Sequence, residues 1–498
     1  MSCSLLRASH YAGPHVSIQV HSENIMKRPM KSAALVAGSV AAIAGSVLLA
    51  QQNSTAVPSR PDALPAIAPA QPKVGRTVPR PNGMLPKVPD GFTVSVYAEL
   101  QAPRMMVYAP NGDLFVSSPA DNSITVLRDT NNDGIVDERS VFAQGMPPAA
   151  RAGGAGGFGG GAGGGGRRGG GPPAPPPAAA APAVNPTING PLLGASAPAC
   201  APPPDFVQKG PGQVAAPFGL AFNGGYLYVG NTGSLVRFKY ANGDLKATGE
   251  PEKLLDLPAG GHSTRNVIFN RAGTKMYLAV GSSSNNNAGE DCRRAAILEF
   301  NPDGSGYRVF ASGIRNPVGL AWQPGSNTLW TAMNERDNLG DDLVPDYATS
   351  VKEGGFYGWP YSYIGKHPDP RYEGAFPDLV NRAIVPDVLL PAHAAALGIT
   401  FYEGTQFPQR YRNGAFIALH GSWNRSVASG YKVVFVPMNN GRPGPVEDFV
   451  SNMLASNGEG GSAIEAWGRP VGVTVARDGS LLVSDDGANV IWKISAKK

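Results

Sequence analysis

The sequence predicts an all-β fold, a six-bladed β-propeller, on three observations. A strand–turn–strand pattern recurs in six copies along the chain. Its turns are N-G, G-G or D-G pairs set between apolar runs, which are hairpin signals. Helical periodicity is nearly absent. Three copies are regular: "APRMMVYAPNGDLFVSSPADNSITVLRD", "APFGLAFNGGYLYVGNTGSLVRFKYANGD" and "RPVGVTVARDGSLLVSDDGANVIWKIS". Three are looser: "STRNVIFNRAGTKMYLAVGSS…AAILEFNPDGSG", "NPVGLAWQPGSNTLWTAMNE" and "LGITFYEGTQFPQRYRNGAFIALHGSWN…GYKVVFVPMNNG". No copy can bury its apolar face alone, so neighbours must stack, and a closed ring removes free strand edges. The loops joining one repeat to the next then gather on one face, where sites usually sit.

The elements follow in chain order. The first 50 residues read as a leader: Lys27, Arg28 and Lys31 precede an apolar run from Ser32 to Ala50, the order of a secretory signal. Met26 and Met30 are alternative starts. If the run stays uncleaved it is a membrane anchor, so the expected location is periplasmic or secreted, with membrane attachment through this segment alone. Residues 51–85 are Pro- and Ala-rich and read as a disordered tether; the propeller is expected over 86–498. A Gly/Pro-rich stretch over 145–212 has the same strand pattern on both sides, so it reads as a disordered insertion rather than a domain linker.

Composition narrows the function classes. Of 498 residues, 42% are hydrophobic and only 16% charged, enough apolar content for a large core. The net charge of +5 comes without a dense Lys/Arg patch interleaved with aromatics, so nucleic acid is not an expected partner. The three cysteines, Cys3, Cys200 and Cys292, imply no disulfide framework, and no C-x-x-C-H signals attached haem. No G-x-G-x-x-G opens a βαβ unit, so nicotinamide is not expected.

Polar residues stand at comparable places in different repeats: His262 and Arg265 in "AGGHSTRNVIF", Arg315 and Asn316 in "GIRNPVGL", the acidic loop "MNERDNLGDDLVPD", His420, Trp423, Asn424 and Arg425 in "ALHGSWNRS", and Arg469 in "WGRPVGV". A ring brings such positions to one mouth. Clustered arginines there suit a multiply charged anion held by paired hydrogen bonds, and the acidic loop suits a cation. His393 either lines this mouth or caps a strand; His420 either contacts a ligand or packs under Trp423. Arg265 reads as a residue that fixes the His262 loop, and Trp359 in "YGWPY" as structural. Separately, "DTNNDGIVDE" spaces oxygen side chains like an EF-hand loop, with Asp129, Asn131, Asp133 and Asp137 as ligands of a structural Ca²⁺. Its twelfth position is Ser140 rather than glutamate, so the alternative is a polar turn without metal.

Taken together, "GGHSTR", "GIRNPVGLAW", "NERDNLGDDLVPD", "GGFYGWPY", "HGSWNRS…GYKVVFVP" and "GRPVGV…DGSLLVSDD" resemble the PQQ-dependent aldose sugar dehydrogenases, in particular the sorbosone dehydrogenase-like branch of the soluble quinoprotein glucose dehydrogenases. The resemblance spans about 86–497 apart from the insertion. It implies a six-bladed propeller carrying pyrroloquinoline quinone (PQQ) and Ca²⁺. It implies His262 as general base, Arg315 and Asn316 against the quinone, His420 as a cofactor contact, and Arg425 and Arg469 as clamps on its carboxylates. It also implies that Glu335, Arg336 and Asp337 hold Ca²⁺, mainly through backbone carbonyls. Relatives often have glycine and proline in that loop, and the Arg-Asp pair departs from them. The implied reaction is oxidation of an aldose or sugar aldehyde. Electrons would leave to an external acceptor, a quinone or small cytochrome. Two other readings stay open: a calcium-dependent lactone hydrolase, and a non-catalytic propeller that binds protein or glycan.

Overall fold

The computed structural model describes residues 61–146 and 209–497. These lie within one compact unit, Thr55–Lys498. The hairpin chemistry read from the turns is visible directly. In "FNGGYLY", Asn223 pairs with Tyr226, and Gly224 and Gly225 take φ of +57° and +78°. Both central residues of such a turn need positive φ, which glycine adopts without steric cost.

Six antiparallel sheets of four or five strands follow one another along the chain. Their first strands are Met106–Tyr108, Pro217–Asn223, Val267–Phe269, Asn316–Trp322, Ala396–Phe401 and Pro470–Val475. Each first strand touches the next, and the last touches the first, so they line the centre of a closed cycle. Phe92–Glu99 closes the cycle: it pairs with Val490–Ala496 and so completes the sheet built from the C-terminal repeat. This early strand thereby locks onto the last strand of the described residues.

The cores lie between sheets. Phe115 packs with Val229, Leu235 with Leu278, Ile297 with Met333, Trp330 with Ile417, Phe416 with Trp492, and Leu114 with Leu482. Every pair of neighbouring sheets has its own apolar cluster, the arrangement expected when each repeat must cover the next. A small apolar group, Met105, Val318, Leu397 and Val471, joins the inner strands at the centre. Among the described residues, helix is confined to Pro377–Asn381 and three single 3₁₀ turns, in line with the absent helical period.

Three expectations need correction. The tether does not extend to residue 85. Arg76–Thr77 pairs in parallel with Glu465–Ala466, Lys73 Nζ donates to Gly458 O and Ser462 O, and Ala68 N donates to Leu339 O. A Pro/Ala-rich segment has no apolar period to announce a strand, but its backbone can still pair with an edge that the ring presents. The insertion is also shorter than 145–212 at both ends. Gly145 N donates to Asn122 O, and Gly210–Pro211 pairs with Glu252–Lys253. Finally, Cys292 is disulfide-bonded, where no disulfide was expected. The leader and the middle of the insertion lie outside the described residues.

Candidate functional site

The start of a first strand and the end of the second strand beside it lie at the same end of an antiparallel sheet. His262, Arg315, His393 and Arg469 precede first strands; Asn334 ends a second strand, and Ser282, His420 and Asp486 follow second strands. The topology therefore gathers all eight at one end of the cycle.

His262 is buried. Its Nδ1 lies 2.8 Å from Ser282 O and 3.1 Å from Ser282 Oγ. A carbonyl oxygen only accepts, so Nδ1 carries the proton and Nε2 keeps its lone pair. Burial, then the charge of Arg315, lowers the imidazole pKa to about 3. His262 is therefore neutral, with an unprotonated Nε2 and a fixed tautomer. Arg265 holds the loop from below by donating to His262 O, Thr264 O and Pro258 O. Behind the ring sits Gly281: a Cβ there would lie 2.7 Å from His262 Cβ and 2.3 Å from Asn316 Oδ1. Only glycine at this position leaves room for both side chains.

Arg315 is buried and heavily engaged. Its Nε donates to Asn285 O (2.9 Å), Nη1 to Glu335 O (2.6 Å) and Asn334 O (3.3 Å), and Nη2 to Asn285 Oδ1 (3.1 Å), with Asp337 Oδ2 at 3.4 Å. Asp337 also meets His393 Nδ1 at 3.2 Å, while His393 Nε2 lies 2.9 Å from Gly340 O. Both neighbours of His393 are acceptors, which favours the doubly protonated ring. Burial opposes that charge, but the Asp337 carboxylate prevails and raises the His393 pKa. Burial likewise works against the Asp337 charge, yet His393 and Arg315 bring its pKa down to about 2.

The carbonyls assigned to calcium are in use. Glu335 O accepts from Arg315, and Asp337 O accepts from Arg336 Nε and Nη2 and from Asn285 Nδ2. The Arg336 guanidinium also pairs with buried Asp369. The Glu335 carboxyl is buried, which raises its pKa to about 7; Asp346, buried beside it, is raised to about 6. Some polar atoms around Arg315 have no hydrogen-bond partner within the protein: Asn316 Oδ1, Glu335 Oε1, Asn424 Oδ1 and Arg425 Nε. Buried polar groups left this way are costly and call for a partner.

A second network stands across the same end. His420 Nε2 lies 2.8 Å from Asp486 Oδ1, and Arg469 Nη2 lies 3.0 Å from His420 Nδ1. Arginine can only donate, so the His420 proton sits on Nε2 and the ring is neutral. Burial and the Arg469 charge lower its pKa to about 4. Arg104 pairs with Asp486 Oδ2 at 3.1 Å. Both ring nitrogens of His420 are thus spent inside the protein, and it holds Arg469 rather than facing a ligand. Arg425 is bound to Asp341 O and Asp342 Oδ1 at 3.0 and 2.7 Å.

The EF-hand-like loop folds on itself. Asp129 accepts from the amides of Asp133 and Gly134, Asn131 Oδ1 from Asp133 N, Asp133 Oδ1 from Ile135 N, and Asp137 Oδ2 from Thr130 N. These oxygens satisfy a tight turn. Among the described residues no three His, Cys, Asp or Glu side chains converge as a metal cage.

Sequence reasoning missed Asn285, Arg104 and Asp486. Arg104 could have been found, because it precedes its first strand as Arg315 and Arg469 do theirs. Asn285, in "SSSNNNAGE", carried no signal of its own.

Comparison with known proteins now bears on this site. A family model described as Glucose / Sorbosone dehydrogenase matches residues 230–424. That region of the chain is similar to the glucose/sorbosone dehydrogenase family. A second model, TrAA12-like, matches residues 379–497. An uncharacterised protein of Borreliella burgdorferi is 32% identical over 243 residues, 48% of this chain and 61% of that one. A pyrroloquinoline quinone-dependent pyranose dehydrogenase of Coprinopsis cinerea is 28% identical over 294 residues, 47% of this chain. The chain spans 39% of that enzyme's length. The holo form of its PQQ domain superimposes with a TM-score of 0.59 at 20% identity, covering 84% of this chain and 98% of the domain. A calcium structure of a Trichoderma reesei family AA12 protein gives 0.59 at 17% identity, covering 83% and 97%. At such identities the structural likeness speaks to the fold alone. The family region covers His262, Arg315, Asn316 and the Glu335–Asp337 loop; Arg425 and Arg469 lie beyond it.

Proposed function

We propose that the chain is a six-bladed propeller that oxidises an aldose or a related sugar aldehyde, of the sorbosone type, with pyrroloquinoline quinone and Ca²⁺. His262 carries this reading. It is a buried, neutral imidazole with Nδ1–H tied to Ser282, its free Nε2 within the field of Arg315. Such a nitrogen can accept the proton of a sugar hydroxyl without a tautomer change. The family match over 230–424 and the quinone-dependent pyranose dehydrogenase relative support the cofactor.

The residues present fit the two groups in chemical type. Asn316 Oδ1 and Glu335 Oε1 are buried oxygens without partners, the hard ligands a calcium ion takes. The Glu335 and Asn334 carbonyls already accept from Arg315, but a carbonyl has a second lone pair. Arg425 Nε is a buried donor without an acceptor, suited to quinone or carboxylate oxygens. Arg315 and Arg469 spend most of their N–H groups on the protein, so they supply fixed positive charge more than free hydrogen bonds. When bound, the quinone with its calcium supplies the two-electron acceptor that no side chain can provide.

The protein's part is then defined. His262 takes the proton at Nε2. Arg315, immobilised in advance, stabilises negative charge as it develops, at no reorganisation cost. Burial of the site keeps water from screening that charge. The leader's basic-then-apolar order supports export, and the lack of a haem motif supports an external electron acceptor.

The test is reconstitution. Purified apoprotein with PQQ and Ca²⁺ is expected to reduce an artificial dye when given one or more of a panel of aldoses and sugar aldehydes. Dye reduction that stays at background across the panel, with cofactor shown to be bound, would overturn the dehydrogenase reading in favour of a binding propeller. Hydrolysis of a lactone under the same conditions without dye reduction would favour the hydrolase.

A further inference from the structure

Asn285 has no place in the reaction described above, yet three other residues of the site meet on it. Its backbone oxygen and Oδ1 together form a fork that accepts Arg315 Nε at 2.9 Å and Nη2 at 3.1 Å. The same Oδ1 accepts Asp337 N at 2.8 Å, and Nδ2 donates to Asp337 O at 3.1 Å. Its backbone oxygen also accepts the Trp359 indole N–H at 2.9 Å. We propose that Asn285 is a positioning residue that sets the Arg315 guanidinium, with Trp359 clamping it from above.

The residue type follows from the contacts. One short side chain must offer an acceptor to Arg315 and Asp337 N and a donor to Asp337 O. Aspartate has no donor, serine does not reach, and glutamine carries an extra methylene. A free arginine loses rotamer entropy when held. The bidentate fork from Asn285 settles that orientation before any ligand arrives.

The hub is itself anchored on both sides. Its loop is braced by Glu290, whose carboxylate accepts Ser283 N and Ser284 N at 2.7 and 2.8 Å. The segment 351–387, which leaves the fourth sheet after Pro345–Ser350 and returns at Val388–Ala392, crosses to this loop on the third sheet. Besides Trp359, it contributes Tyr372, whose hydroxyl donates to Asn286 O at 3.0 Å and accepts Ala288 N at 2.7 Å. It also contributes Asp369, 3.3 Å from Asn286 Nδ2 and paired with Arg336. A loop with only a structural role would not need its polar side chain aimed at the arginine beside the base.

Only the reach of this effect into catalysis rests on the quinone reading, and the experiment separates the two. The variants Asn285→Ala, Arg315→Lys and the double variant form a cycle. It is read in PQQ affinity with Ca²⁺, in kcat and KM for the sugar, and in urea unfolding of the apoprotein. Asn285→Ala is expected to weaken PQQ binding or lower kcat by about ten- to a hundredfold, the scale for a catalytic group displaced by ~1 Å, while leaving sugar KM unchanged. In the Arg315→Lys background the same change is expected to have almost no further effect. Trp359→Phe, which keeps an aromatic ring but loses the indole N–H, should act in the same direction more weakly. Independent, multiplying effects in the double variant, or a loss confined to thermal stability, would overturn the proposal. If wild-type protein binds no PQQ, the dehydrogenase reading fails, and coupling in the urea cycle still decides: coupled sites keep Asn285 as the residue that sets Arg315, and additive ones reject it.

Discussion

Gly281→Ala isolates the close approach of His262 to Asn316. The residue's backbone is outside the positive-φ region, so alanine is tolerated conformationally and would gain about 0.4–1 kcal/mol through the unfolded chain. The added methyl, however, would lie 2.3 Å from Asn316 Oδ1 and 2.7 Å from His262 Cβ. Ordinary contact begins near 3.4 Å, so the first neighbour must move about 3.4 − 2.3 = 1.1 Å and the second about 3.4 − 2.7 = 0.7 Å. Both side chains are buried, and His262 is tied to Ser282 on its far side. Overpacking of this kind costs about 1–3 kcal/mol, so net destabilisation should be about 1–2 kcal/mol. A displacement of ~1 Å at catalytic groups costs on the order of a hundredfold in rate. Urea unfolding of the apoprotein, alongside dye reduction by the reconstituted protein, measures both. A variant as stable and as active as wild type would show that His262 and Asn316 do not need this contact.

Other expectations follow from the same geometry. His262→Ala removes the free Nε2 and should lower kcat by about a hundred- to ten-thousandfold while PQQ still binds, as checked by cofactor titration beside turnover. Glu335 ionises at about 7 in the folded protein against an ordinary value of 4.5, so its contribution to stability falls as pH rises between the two. Glu335→Gln should therefore gain stability relative to wild type from pH 4 to pH 8, by about 1–3 kcal/mol in urea midpoints; a flat difference would mean the carboxyl is not held protonated. Asp486→Ala leaves the buried Arg104 unpaired and frees the His420 tautomer, and should cost about 3–5 kcal/mol by the same assay.

The sequence by itself determined the β architecture, the repeat and the candidate groups, because turn chemistry and period-two burial act within a few residues. The Asn223–Tyr226 hairpin and the arginines that precede the first strands are local facts of this kind. What only the tertiary structure decided lies between repeats. Phe92–Glu99 closes the cycle onto the C-terminal strand, 61–85 docks instead of trailing, and Asn285 reaches Arg315 thirty positions away. The structure also decided protonation: His262 and His420 are neutral and His393 favours its charge, although all three are the same residue type. Burial and the partner on each ring nitrogen set that difference, and both come from side chains on other strands, which no local pattern encodes.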